Sequence, residues 1–250
     1  MTYILQQGLN ALQLGSIYAL IALGYTMVYG ILTMINFAHG DLFMLGAFLC
    51  FILATFLHLP FVPVLILSML GVALIGVLIE RVAYKPLRNA PRVSAIITAL
   101  GVGLFLENLT LVFSPYPQSV PQLLKSTTWT IGGLTVSNLQ ILIIVIAIVM
   151  MIVLDFIVRK TMVGIAMRAI SWDKAVVPLM GVPLDLIISV TFALGTGLGG
   201  AAGTLYALAF PVIDPYMGIL IGWKAFISAV VGGIGNIRGA MIGGFILGAV

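Results

Sequence analysis

Charge is what this sequence has least of. Only 7% of its 250 residues are Asp, Glu, Lys or Arg, against about 25% in an ordinary soluble domain. The first charged residue is Asp41 and the next is Glu80. No soluble core uses apolar stretches this long and bare, whereas a helix crossing a bilayer needs about 20 mainly apolar residues. Cysteine is almost missing as well. Cys50 stands alone, which excludes an intrachain disulfide and a cysteine metal cluster. Histidine is nearly as scarce: His39 and His58 are not spaced as a zinc pair, and no H-E-x-x-H occurs. The phosphate-binding pattern G-x-x-x-x-G-K-S/T is absent too, so the chain has no usual means of holding ATP. No residue stands out as a nucleophile. The sequence reads as no enzyme, with no cofactor and no metal. Its net charge of +4 is no nucleic-acid footprint, because basic residues on a membrane protein usually mark the cytoplasmic side.

What fills the chain is 62% apolar residues, with 28 glycines and 12 methionines. Such a composition favours closely packed, adjustable helix contacts. The fold class expected is an all-α integral membrane protein, a polytopic helical bundle forming one domain over residues 1–250. Apolar segments run over 9–32, 42–57, 61–79, 93–113, 139–158 and 186–208, followed by glycine-rich re-entrant or spanning segments over 219–250. No Lys or Arg precedes the first segment and no small-residue cleavage site follows it, so it reads as a retained span rather than a secretory signal. The stretch from Ser114 to Asn138 is rich in Pro, Ser, Thr and Gln. Alternation around Gly132-Gly133 within it predicts a short hairpin.

Orientation follows from the basic residues. Arg81, Lys85, Arg88 and Arg92 lie in one connection, and Arg159, Lys160, Arg168 and Lys174 in another, together 8 of the 11 Lys and Arg. Two spans separate these connections, so both face one side, the cytoplasm. The Ser114–Asn138 loop is then outside, and counting back places the amino terminus outside too.

The longest stretch able to lie in water is Gly164 to Asp185. It reads as one helix from about Val163 to Met180, stopped by Gly181 and then Pro183. Within a cytoplasmic loop over 159–185 it is either a helix presented to a partner or an ordinary amphipathic loop helix. Its candidate contact residues are Asp173, Lys174, Leu179, Met180 and Gly181.

Polar residues at membrane depth are costly and usually line a path or pocket. The candidates are Asn36, His39, Asp41, Glu107 and Lys224, with Asp214 and Arg238 in the glycine-rich end. Asn36 to Asp41 is either a polar turn at the interface or an interrupted helix whose freed backbone faces a water-filled path. Gly195, Gly199 and Gly203, and again Gly235, Gly239 and Gly243, recur every fourth residue, a spacing that lets helix backbones approach closely.

Four stretches carry a resemblance over nearly the whole chain. They are Gly15-Ser16-Ile17-Tyr18-Ala19-Leu20 running on to Ile35-Asn36-Phe37-Ala38-His39-Gly40; Pro91-Arg92 to Asn108; Leu179-Met180-Gly181; and Pro215-Tyr216-Met217-Gly218 through Lys224-Ala225-Phe226 to Gly232-Gly233. Together they resemble the LivH-type permease subunit of ATP-driven branched-chain amino acid importers. The resemblance implies a multi-pass permease of the bacterial inner (plasma) membrane, embedded in the lipid bilayer and passing a branched-chain or related small amino acid. It also implies as partners a second homologous permease, two cytoplasmic ATPase subunits and an external substrate-binding protein, with a short cytoplasmic helix docked in a groove of the ATPase. The chain departs from the pattern at three places. Ala175-Val176-Val177-Pro178 stands where Glu-Ala-Ala usually precedes Leu-Met-Gly, Glu107 stands where an amide is common, and Arg238 stands in a turn that usually lacks charge. Relatives of this kind generally continue beyond the apolar run that holds Gly248-Ala249-Val250. Two rival readings are a permease of the same class for urea or short amides, and a gradient-driven carrier or channel using Glu107 or Asp41 as a proton site.

Overall fold

The computed structural model describes residues 2–88 and 90–250. Five stretches are long and apolar enough to cross a membrane: Thr2–Leu32, Phe61–Leu87, Val93–Phe113, Asn138–Lys160 and Leu184–Ala209. The described residues form nine α-helices. They are α1 (Thr2–Leu32), α2 (His39–Thr55), α3 (Phe61–Ile79), α4 (Arg92–Phe113), α5 (Asn138–Lys160), α6 (Met162–Trp172), α7 (Leu184–Ala209), α8 (Met217–Val231) and α9 (Ile237–Ala249). At 1.5 Å per residue α1 is about 46 Å long, well over the roughly 30 Å of a hydrocarbon core. By the same measure α2, α8 and α9 span only about 20–25 Å.

The first helix therefore starts seven residues before the expected 9–32 segment. Its opening turns hold polar residues that do not end it, because they find partners. Gln6 exchanges two hydrogen bonds with the backbone of Thr135, at 2.9 and 3.0 Å, and Asn10 accepts one from Gln140 at 2.9 Å. Thr135 belongs to the expected hairpin, β2 (Thr128–Ile131) paired with β3 (Leu134–Ser137). Gly132 and Gly133 take φ +59° and +84° at its turn, values open to glycine at no steric cost. A second ribbon, β1 (Gln118–Ser119) with β4 (Val212–Ile213), has no signature in the sequence. It ties the end of α7 to the loop after α4.

The centre of the molecule is α1, buried continuously from Gly15 to Val28. Helices α2, α5, α7, α8 and α9 surround it. Small residues set how close they come. A Cβ on Gly46 of α2 would lie 2.6 Å from the Gly200 backbone of α7, and one on Gly203 would strike the carbonyl of Phe43. Helices α3, α4 and α5 instead present Leu74, Leu78, Ile97, Phe105, Ile152 and Phe156 outward, as bilayer-facing helices must.

Most of the charged residues gather at the end opposite the hairpin. A π-helical turn (Glu80–Tyr84) and a 3-10 turn (Lys85–Leu87) prolong α3 there. Arg88 bridges buried Glu80 and, at 2.5 Å, Asp185 at the start of α7; Lys85 reaches Asp185 at 2.6 Å. Glu80 also accepts from Ser189, at 2.7 Å.

Candidate substrate cavity and coupling surface

After α1 the chain turns back on itself. Thr33 takes φ +55°, and residues 33–38 run without helix until α2 begins at His39. His39 rests against Gly24, eight residues inside the end of α1, which puts the start of α2 about 12 Å into the helix layer. Of the Asn36–Asp41 segment, only Asn36 to Ala38 is non-helical; His39, Gly40 and Asp41 already form the first turn of α2. Irregular backbone at this depth is permitted where protein buries it. Gly40 makes the placement possible, since its Cα side meets the Gly218 carbonyl and the Gly222 backbone of α8.

A cavity of about 190 Å³ opens beside that turn, between α2, α4 and α8. Asp41 and Glu107 both line it, each only 7% exposed, and near enough for their charges to interact. Neither belongs to an ion pair among the described residues. The opposite wall is aromatic. Phe37 lies 5.6 Å from Trp223 and 5.5 Å from Phe226, and Tyr25 lies 5.8 Å from Phe226, ring centre to ring centre. These spacings suit tilted and edge-to-face contact.

The other sequence candidates fall elsewhere. Asn36 accepts a hydrogen bond from the Tyr84 hydroxyl at 2.7 Å, fastening the re-entrant segment to the π-helical turn. His39 is packed between Gly24 and Gly199, with its ring 4.7 Å from that of Tyr25. Lys224 is exposed and points away from the cavity, its Nζ 6.0 Å from the Tyr18 ring centre. The glycines divide similarly. A Cβ on Gly195 would lie 3.2 Å from the Gly24 carbonyl, and one on Gly199 would lie 3.4 Å from His39. Gly239 and Gly243 hold α9 against Gly232 and Ser228 at the end of α8. Gly235 is not on a helix: it takes φ +94° in the turn between α8 and α9, beside Gly30. Arg238 lies in the first turn of α9, 3.5 Å from Asp155 of α5.

The loop over 159–185 is not one helix. α6 ends at Trp172, and a separate 3-10 turn, Val177–Met180, follows. The reason is Asp173, whose carboxylate accepts from the N–H of Ala175 and of Val176 at 2.8 and 3.2 Å, offering the backbone a turn in place of helix. Pro178 then has no N–H to give. Gly181 does take a left-handed cap, φ +79°. Leu179 and Met180 stand 85% and 77% exposed, and Trp172, which the sequence reading passed over, 93%. Lys174 is turned inward, its Nζ donating to the Leu32 carbonyl at 2.9 Å. Arg168 similarly donates to the Val158 carbonyl at 3.0 Å, fixing α6 to the end of α5.

Residues 8–250 match the family described as branched-chain amino acid transport system, permease component. The chain belongs to that family. The high-affinity branched-chain amino acid transport system permease protein BraD of Pseudomonas aeruginosa is 41% identical over 98% of this chain and 84% of its own length. The permease protein LivH of Salmonella typhimurium is 39% identical over the same shares. A probable branched-chain amino acid transport permease of Methanocaldococcus jannaschii is 29% identical over 96% of this chain and 77% of its own. No solved structure matches the chain. Family and fold thus agree on a polytopic helical membrane permease, as the four sequence stretches implied.

Proposed function

We propose that this chain is the path-forming subunit of an importer for branched-chain or related small amino acids, driven by a separate ATPase. The observation that carries this reading is the cavity at the start of α2, lined by residues of α2, α4 and α8, in a chain of this family. Apart from Asp41 and Glu107 the cavity lining is apolar, aromatic and glycine-rich, which suits a small amino acid with an apolar side chain. The mechanism is alternating access between two helix-lined gates, with residues 159–185 as the cytoplasmic coupling loop of a single domain over 1–250. The partners are a second homologous permease, two ATPase subunits and an external binding protein, at the bacterial inner membrane. The names of the relatives favour this over a urea or amide permease and over a gradient-driven carrier.

Leucine uptake by cells carrying the complete system tests the energy source. It should stop on ATP depletion and survive collapse of the proton gradient, and the reverse result would make the chain a gradient-driven carrier. Coupling has its own test. Leu179 and Met180 are apolar and exposed beside a left-handed cap, which suits a surface seated in a partner's groove. Burying such a side chain contributes about 1.5–3 kcal/mol. Met180→Glu should therefore release the ATPase and abolish uptake while the protein still inserts. If the ATPase still copurifies and uptake persists, 159–185 is a partnerless loop.

A further inference from the structure

Two buried carboxylates that line one cavity with no cation among its described lining residues are a chemical anomaly. Asp41 and Glu107 are each more than nine-tenths buried, have no ion-pair partner among the described residues, and line the same space. Holding such groups ionised away from water is costly unless something positive faces them. Among the described residues, no Lys, Arg or His lines the cavity. The nearest lysine in sequence, Lys224, leaves for the Tyr18 ring on the far side of α8.

The aromatic wall has the same electrical preference. Ring faces of Trp and Phe carry negative charge and attract ammonium groups, more strongly where water is excluded. Phe37, Trp223 and Phe226 form a mutually packed trio, every ring pair within 5.9 Å. Gly103 keeps α4 close enough to take part, because Oδ2 of Asp41 lies 2.5 Å from where its Cβ would be. The space, about 190 Å³, is several times the roughly 30 Å³ share of one water, enough for an ammonium head and a short alkyl stem.

We propose that this cavity is a primary-ammonium subsite in which Asp41 and Glu107 accept the N–H donors and Phe37, Trp223 and Phe226 flank the charge. The proposal rests on the transport reading and sharpens it. The cavity selects a protonated amine against a neutral amide or a carboxylic acid of the same carbon skeleton. A urea or short-amide substrate would gain nothing from two negative groups and a ring wall. The ammonium end of an amino acid gains from both, through charge-assisted hydrogen bonds on one side and ring faces on the other.

Protection of a cysteine placed in the wall tests this directly. Leu104 lines the cavity and is 59% exposed. The full chain carrying Cys50→Ser and Leu104→Cys, in lipid nanodiscs, is treated with N-ethylmaleimide, a neutral thiol reagent. 3-Methylbutylamine should slow the reaction; 3-methylbutanamide and 3-methylbutanoate should not. Adding Asp41→Asn or Glu107→Gln should each raise the half-protecting amine concentration roughly tenfold, the weight of one charged hydrogen bond. The double variant should show no protection, and should a poorly inserted double variant prevent that measurement, the two single variants decide. An unchanged rate without amine shows that the wall is intact. Equal protection by amide or acid, or protection that ignores both carboxylates, overturns the proposal. The same outcome with ATP-driven leucine uptake intact leaves the transport reading standing. Amine protection in a chain that supports no uptake leaves the subsite and removes the transport reading.

Discussion

The molecule keeps its buried acids under opposite rules. At the charged end, Glu80 is sealed by Arg88 and Ser189, while Asp185 is shared by Arg88 and Lys85. Beside the start of α2, Asp41 and Glu107 have no such counter-charge. Buried Glu80 and the two cavity acids all face a desolvation cost. The charged end answers it with covalently attached cations and so fixes the junction between α3 and α7. The cavity leaves it to whatever enters. A closed set of charges is architecture; an open one is a binding surface.

That contrast breaks most visibly at Arg88. Arg88→Ala leaves Glu80 buried with a single hydroxyl for company, a loss of about 3–5 kcal/mol for an orphaned charge. A large fall in the thermal midpoint of the detergent-solubilised protein is expected, with partial recovery when Glu80→Gln is added. A midpoint like that of the parent would deny the cluster its structural role. The open set should behave in the other way. Asp41→Asn and Glu107→Gln each relieve repulsion between neighbouring carboxylates, so stability should hold or rise by about 0.5 kcal/mol or less, while leucine uptake falls steeply. Stable variants with full uptake would erase the distinction. Lys85→Ala is the smallest of the three. Its partner Asp185 keeps Arg88, and both Lys85 and Asp185 are about half exposed, so roughly 0–1 kcal/mol is at stake. A midpoint shift as large as that of Arg88→Ala would mean that Lys85, not Arg88, closes the junction.

The sequence revealed this architecture unevenly, for physical reasons. α3 has the expected bounds, 61–79, because Pro60 and Glu80 bracket a run with no charged residue. The paired-glycine hairpin was legible from its turn chemistry alone. The start of α1 was not, because Gln6 and Asn10 look like solvent-facing residues until their partners on β3 and α5 are in place. The break at Asp173 was hidden because its cause is a side chain turning onto its own backbone. At the cavity, the two acids were visible as charges in apolar sequence. Their shared space, and the ring wall of Phe37, Trp223 and Phe226, were not, since residues so far apart meet only when α8 packs beside the re-entrant turn. The Glu80–Arg88–Asp185 cluster was missed likewise: nothing local links Asp185 to residues nearly a hundred positions earlier.

The glycine contact between α2 and α7 has a consequence for motion. With Gly46 on Gly200 and Gly203 on Phe43, the two helices touch backbone to backbone at these points, where no side chain stands between them to absorb a shift. Sliding either past the other means climbing over main-chain atoms, so the pair moves as one slab. α4 is held differently, chiefly through α2 and the π-helical turn. Asp41 rides on the slab and Glu107 on the looser helix. The gap between the two carboxylates therefore works as a ruler, widening or narrowing with every displacement of α4.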